Sequence, residues 1–115
     1  MIDEAIMVLR VSAALTMLLF GIHQLIRPQS WSLYVPAWVS ELSHLSLSSI
    51  MRTHAIGNII IALYLVSGVT ALISAWAAFV WWLSVLPFAF LSDWKIAMRD
   101  VSVALSLLAL IFLLS

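Results

Sequence analysis

Four apolar runs of roughly twenty residues, separated by short polar punctuation, constrain this chain more than any other feature. A hydrocarbon core of roughly 30 Å is crossed by about 20 residues of helix rising about 1.5 Å each. A helix also satisfies its own backbone groups where no water can. The runs extend from about Ala5 to Ile26, Ile50 to Ile73, Ala75 to Phe90 and Lys95 to Leu114. The third is short and carries Pro87 near its end. Arg10, inside the first, is placed to snorkel to an interface, and Ser92 or Asp93 is suited to cap the start of the fourth. The sequence therefore predicts an all-α, integral membrane four-helix bundle, with residues 1–115 forming a single transmembrane domain.

Composition leads to the same reading. The 115 residues are 65% hydrophobic and 9% charged, with zero formal net charge. A soluble domain runs to about 45–50% apolar and about 25% charged, and a chain this short cannot bury such an excess. Disorder needs the opposite composition, and zero net charge argues against a nucleic-acid partner. There is no cysteine, hence no disulfide, thiolate metal site or cysteine nucleophile. Walker loop, dinucleotide fingerprint, zinc-protease and nucleophile-elbow motifs are missing, so no catalytic residue and no metal site are predicted. The start, Met1-Ile2-Asp3-Glu4, is acidic where a secretory signal is basic, so the first span is expected to be retained.

The connections are unequal. Spans two and three are expected to meet in a tight hairpin at Ser74-Ala75, and spans three and four within a few residues of Asp93 and Trp94. The first connection alone is long. It holds Pro28, Trp31, Tyr34, Pro36 and Trp38, then a serine-rich stretch from Ser40 to Ser49. Trp and Tyr favour the membrane–water boundary, so this segment is read as an interfacial aromatic and proline loop between helices one and two. Trp76 reads as an interfacial anchor, and Trp81 and Trp82 as facing lipid or a partner helix. Four crossings put both termini on one side. Arg27, Arg52, Lys95 and Arg99 lie towards the other, and the positive-inside rule then places both termini outside a cytoplasmic membrane.

Polar residues cluster by depth. All charged residues except Asp3, Glu4 and Arg10 belong to the leaflet of the long loop, together with His23, Gln24, His54 and Asn58. His54 and Asn58, four apart, share a helical face. Arg99, Ser102, Ser106 and Ala109 form a stripe suited to close helix contact. Ionisable groups inside a span are functional-site candidates by default. The plainer reading of Gln24, Asn58, Arg99 and Asp100 is a structural cluster that locks the bundle and anchors the loop. His23 and His54, on neighbouring spans at similar depth, are the conceivable pair for haem, which takes two facing imidazoles.

The run Phe20-Gly21-Ile22-His23-Gln24-Leu25, followed by Pro28, Trp31, Tyr34-Val35-Pro36 and Trp38, resembles the opening of DoxX-like membrane proteins. The likeness continues through Gly57 to Gly68 and ends with Asp93 and Ile96-Ala97-Met98-Arg99-Asp100, covering nearly the whole chain in order. The resemblance implies a small four-helix bundle of a prokaryotic cytoplasmic membrane, some relatives being subunits of a thiosulfate:quinone oxidoreductase. In that pattern Gln24 stands where lysine is common and Asn58 where glutamate is common. A charge pair is thus replaced by two amides that are expected to touch. Two functions follow as expectations. One is a non-catalytic accessory or structural subunit of a larger membrane complex, possible within an oxidoreductase, whose partners are lipid, other membrane subunits or a second copy. The other is a redox subunit holding quinone or haem near His23, His54 and Arg99. No cofactor is required by the sequence. Transport is disfavoured, since no inverted repeat is visible.

Overall fold

A computed structural model describes residues 1–115. The chain is all-α, with no strand: α1 (Ile2–Ile26), a 3-10 helix (Pro28–Tyr34), α2 (Ala37–Ser43), α3 (Leu47–Ser67), α4 (Ala71–Ser92) and α5 (Trp94–Leu114). Four of these helices, α1, α3, α4 and α5, are long and apolar enough to cross a membrane. The molecule measures 47 × 25 × 20 Å, a length that matches about 40–45 Å of bilayer including headgroups. It is a multi-pass membrane protein.

Each long helix buries one narrow stripe at alternating three- and four-residue spacing. On α3 the stripe is Met51, Ala55, Asn58, Ala62 and Leu65. On α1 it is Ala13/Ala14, Met17, Gly21 and Gln24, and on α5 it is Ala97, Asp100, Ala104, Leu107 and Leu110/Ile111. That spacing is the seam of nearly antiparallel helices, and its small residues let backbones approach closely. One close backbone approach is at Gly21, where an added Cβ would lie 3.0 Å from the Ala55 carbonyl oxygen. Accordingly α1 packs chiefly on α3 and α4 on α5, while α3 and α4 touch more lightly. Many other apolar side chains, Leu15, Leu19, Ile60, Leu105 and Phe112 among them, face outward, as a lipid-bathed surface requires.

The structure moves two boundaries. The hairpin between spans two and three turns at Gly68–Thr70, not at Ser74-Ala75. Gly68 adopts φ +76° and Thr70 φ +49°, the left-handed geometry that ends a helix. Ser74 is already helical, its Oγ donating to the Thr70 carbonyl at 3.0 Å. Consequently the third span is 22 residues long, with Pro87 inside it, and is not short. Arg10 also has protein partners. Its Nε donates to the Leu65 carbonyl at 2.9 Å and Nη2 to the Val66 carbonyl at 3.1 Å. The guanidinium caps the C-terminus of α3, where unpaired carbonyls and the helix dipole both favour a cation.

At the other end, Pro28 opens the 3-10 helix and Pro36 caps α2, so the prolines set the bends of the long connection as expected. Ser46 caps α3 by accepting from Ser49 N at 3.2 Å, and Asp93 caps α5 by accepting from Lys95 N at 2.9 Å. In the Arg99, Ser102, Ser106, Ala109 stripe the two serines and the alanine face outward, while Arg99 reaches over Phe20 of α1. All four are exposed, and Ser106 Oγ turns back to the Ser102 carbonyl at 2.9 Å. The stripe that packs is offset by one residue, through Asp100 and Ala104.

Candidate functional site

The polar residues of the loop-side leaflet converge on a cavity of about 280 Å³ between α1, α3, α4 and α5, roofed by the long connection. Trp31 and Tyr34 of the 3-10 helix, with Val35 and Val39, form the roof. Phe20, Trp81, Trp82, Val85 and Phe88 supply walls, and Gln24, His54, Asn58, Arg99 and Asp100 supply the polar end. Five of the residues singled out in the sequence are therefore brought together.

The contact expected between Gln24 and Asn58 is present, and it belongs to a longer chain. Trp81 Nε1 donates to Asn58 Oδ1 at 2.8 Å, and Asn58 Nδ2 donates to Gln24 Oε1 at 2.8 Å. An indole N–H can only donate. Trp81 therefore fixes which end of the Asn58 amide faces it, and Asn58 in turn fixes Gln24. Both amides are buried, at 3% and 4% exposure, where leaving such a group unpaired is costly. His54 stacks on Trp81 with ring centroids 5.0 Å apart, and its Nδ1 lies 3.3 Å from Gln24 Oε1. Asn58 Nδ2, whose second hydrogen is not used by Gln24, lies 3.4 Å from the same nitrogen, so Nδ1 either donates to Gln24 or accepts from Asn58 according to the tautomer.

Arg99 and Asp100 form the second polar wall. Arg99 Nη2 lies 3.2 Å from Asp100 Oδ1, with the carboxylate side chain buried and the guanidinium half-exposed. The guanidinium Cζ stands 5.1 Å over the Phe20 ring, a cation–π distance. Phe20 in turn meets Trp31 at 5.4 Å and Trp82 at 6.0 Å, and Trp31 meets Tyr34 at 5.5 Å. The roof is therefore an aromatic stack seated on the ion pair. Burial and then the Asp100 charge push the Tyr34 phenol above its ordinary value of 10.0, with Arg99 acting against them.

His23 stands apart. Its Nδ1 accepts from Trp31 Nε1 at 2.8 Å, on an exposed side of α1, and it does not line the cavity. His23 and His54 are consequently not a facing pair, because successive polar positions on α1 point in different directions: Gln24 turns inward and His23 outward. Instead His23 orients the roof through Trp31. Trp38 packs on Phe88 at 6.3 Å but stays exposed, and Pro28 and Pro36 act through the backbone.

Of the two expectations for Trp81 and Trp82, lipid or a partner helix, the structure takes the second: Trp82 is only 5% exposed and packs on Phe20 of α1, and Trp81 holds Asn58 of α3. The available signal was position. Trp81 and Asn58 each lie halfway along their helices, far from an interface, where an indole N–H needs a protein acceptor. Comparison with known proteins finds no matching family model, curated protein or solved structure.

Proposed function

We propose that this chain is a non-catalytic, DoxX-like accessory subunit of a membrane complex, and that its cavity holds a flat, lipid-soluble ring of the quinone type. The observation that carries this reading is the cavity's construction, with aromatic walls and roof and one polar end in the loop-side leaflet. Ligand sites are mostly apolar with a few placed polar groups, and an aromatic stack accepts a planar ring face to face or edge on. An engineered cavity of about 150 Å³ holds benzene, so one substituted ring fits the space here, with a tail leaving towards lipid. The residues fit such a group through Arg99, whose half-exposed guanidinium at the polar end of the cavity can donate to a ring oxygen. A bound ring supplies redox chemistry, while this chain's own residues orient it and exclude water. The order of motifs along the chain supports the DoxX-like reading. A cytoplasmic membrane with both termini outside follows from the cluster of Arg27, Arg52, Lys95 and Arg99 on the loop side.

The test is mild-detergent purification followed by solvent extraction and mass spectrometry. A ring lipid at close to one per chain, reduced severalfold in Trp31→Ala with expression intact, is the expected result. A chain that carries only phospholipid, and takes up no added quinone, overturns the reading.

A further inference from the structure

The cavity is smaller than a whole ring lipid. At about 280 Å³ it takes the ring, since about 150 Å³ suffices for benzene, and a long tail must lie outside it. The helices around it do not close it equally. α1 neighbours α3 and α5, and α4 neighbours the same two, so the α3–α4 and α1–α5 seams lie on opposite sides of the bundle. Of these contacts the one between α3 and α4 is the lightest.

Trp81 makes the bridge between α3 and α4. Its ring lies where a Cβ at Gly57 would stand, and its Nε1 donates to Asn58 Oδ1 at 2.8 Å. From there towards the long connection, Ile50 and His54 of α3 and Ser84, Val85 and Phe88 of α4 line the cavity. Ile50 is seven residues from Gly57 and Phe88 seven from Trp81, so on both helices this stretch rises about 10 Å. Its far edge is α2, which buries none of its residues. α2 sends Val39 to the cavity and sets Trp38 against Phe88 at 6.3 Å.

Ser84 marks an opening in this stretch. It lines the cavity and is also exposed on the outer surface, which the bilayer covers with lipid. Its hydroxyl donates to the Trp81 carbonyl of its own helix at 2.6 Å, so it makes no polar demand on an apolar chain beside it. The other exposed lining residue is Arg99. Its guanidinium is paired with Asp100 and stands over Phe20 of α1, at the opposite seam. One rim is therefore apolar and the other charged. We infer that a ring lipid enters sideways from the bilayer between α3 and α4, passing Ser84, and leaves its tail in that gap with its polar end towards Arg99. The ligand class narrows to a ring that carries a long apolar tail. The inference rests on the ring-binding reading above and adds the entry route and the tail.

The test is photolabelling of the full chain in phosphatidylcholine vesicles with a ubiquinone analogue carrying a diazirine on its tail, mapped by mass spectrometry after digestion. Label that excess decylubiquinone competes away is expected on α3 and α4 around Ile50 and Ser84. Ser84→Trp, folded by circular dichroism, plugs the gap and is expected to retain severalfold less added decylubiquinone through purification in mild detergent. Ser102→Trp, an exposed position on α5 that does not line the cavity, is expected to retain as much as the unaltered chain. Competed label confined to α1 and α5, or retention undiminished by Ser84→Trp or lowered equally by Ser102→Trp, overturns the sideways route while ring binding stands. No competed label anywhere on the chain overturns both.

Discussion

Replacing Asn58 by leucine tests the amide chain directly. Asn58 makes two short side-chain bonds, from Trp81 Nε1 and to Gln24 Oε1, both 2.8 Å. Leucine is close in shape, so the packing on α1 is largely kept and the loss is chiefly of hydrogen bonds. The Trp81 N–H is left with no acceptor, at a cost of about 1–3 kcal/mol. Gln24 Oε1 keeps His54 Nδ1 at 3.3 Å, so its loss is nearer the range of about 0.6–1.7 kcal/mol measured for interhelical bonds in membranes. Together these give a destabilisation of about 2–4 kcal/mol. The assay is reversible unfolding of the detergent-solubilised chain by titration with a denaturing detergent, followed by circular dichroism. Gln24→Leu, Asn58→Leu and the double variant form a cycle. The double variant is expected to be more stable than the sum of the singles by about 1 kcal/mol, because removing both partners leaves less unpaired than removing one. Additivity within about 0.3–0.5 kcal/mol, the behaviour of independent sites, would refute the reasoning that these amides act as one unit.

Gly21→Ala places a Cβ 2.9 Å from Ile59 Cγ1 and 3.0 Å from the Ala55 carbonyl oxygen. The α1–α3 contact must open, with an expected cost of about 1–3 kcal/mol in the same unfolding assay. Arg10→Met removes the cap on the Leu65 and Val66 carbonyls and is expected to cost about 1–2 kcal/mol. Faster amide exchange around Gly68, with α5 unchanged, is its signature. The raised Tyr34 phenol predicts ionisation above 10.0 in an ultraviolet titration, identified by subtracting the Tyr34→Phe curve. The folded state holds that proton more tightly than the unfolded chain. This part of the stability is therefore intact below the unfolded value and falls as pH rises through the folded one, a fall that Tyr34→Phe abolishes.

The number of spans was legible because it depends on length and apolarity, which are local. The ends of spans were less so. Ile50 to Ile73 reads as one apolar run, and only Gly68 and Thr70 in left-handed geometry, with Arg10 reaching across from α1, divide it. That division is a tertiary event. An arginine well inside a first span carries no mark of whether it will meet headgroups or the carbonyl end of a neighbouring helix. The outward turn of Ser102 and Ser106 was illegible for a related reason. Serines in a span can bond to their own backbone, as Ser106 does to Ser102, and then no longer indicate a helix contact.

The site was half legible, and the missing half explains its chemistry. Depth alone gathered Gln24, His54, Asn58, Arg99 and Asp100 at one end of the bundle, since unpaired polar groups in lipid must find each other. Depth says nothing about direction around a helix, and that is why His23 was grouped with His54. Direction is carried by the small-residue stripe. Ala75, Ala78, Trp82 and Ala89 are all buried on α4, so the stripe that lets helices approach also carries Trp82 inward. Trp81, one residue earlier and about 100° round the helix, reaches α3 and the Asn58 amide. Two adjacent indoles thus take opposite roles, one spending its N–H on the bundle and the other keeping its N–H free. His54, stacked on Trp81 and within reach of both amides, is drawn into the same polar cluster by the indole that holds Asn58.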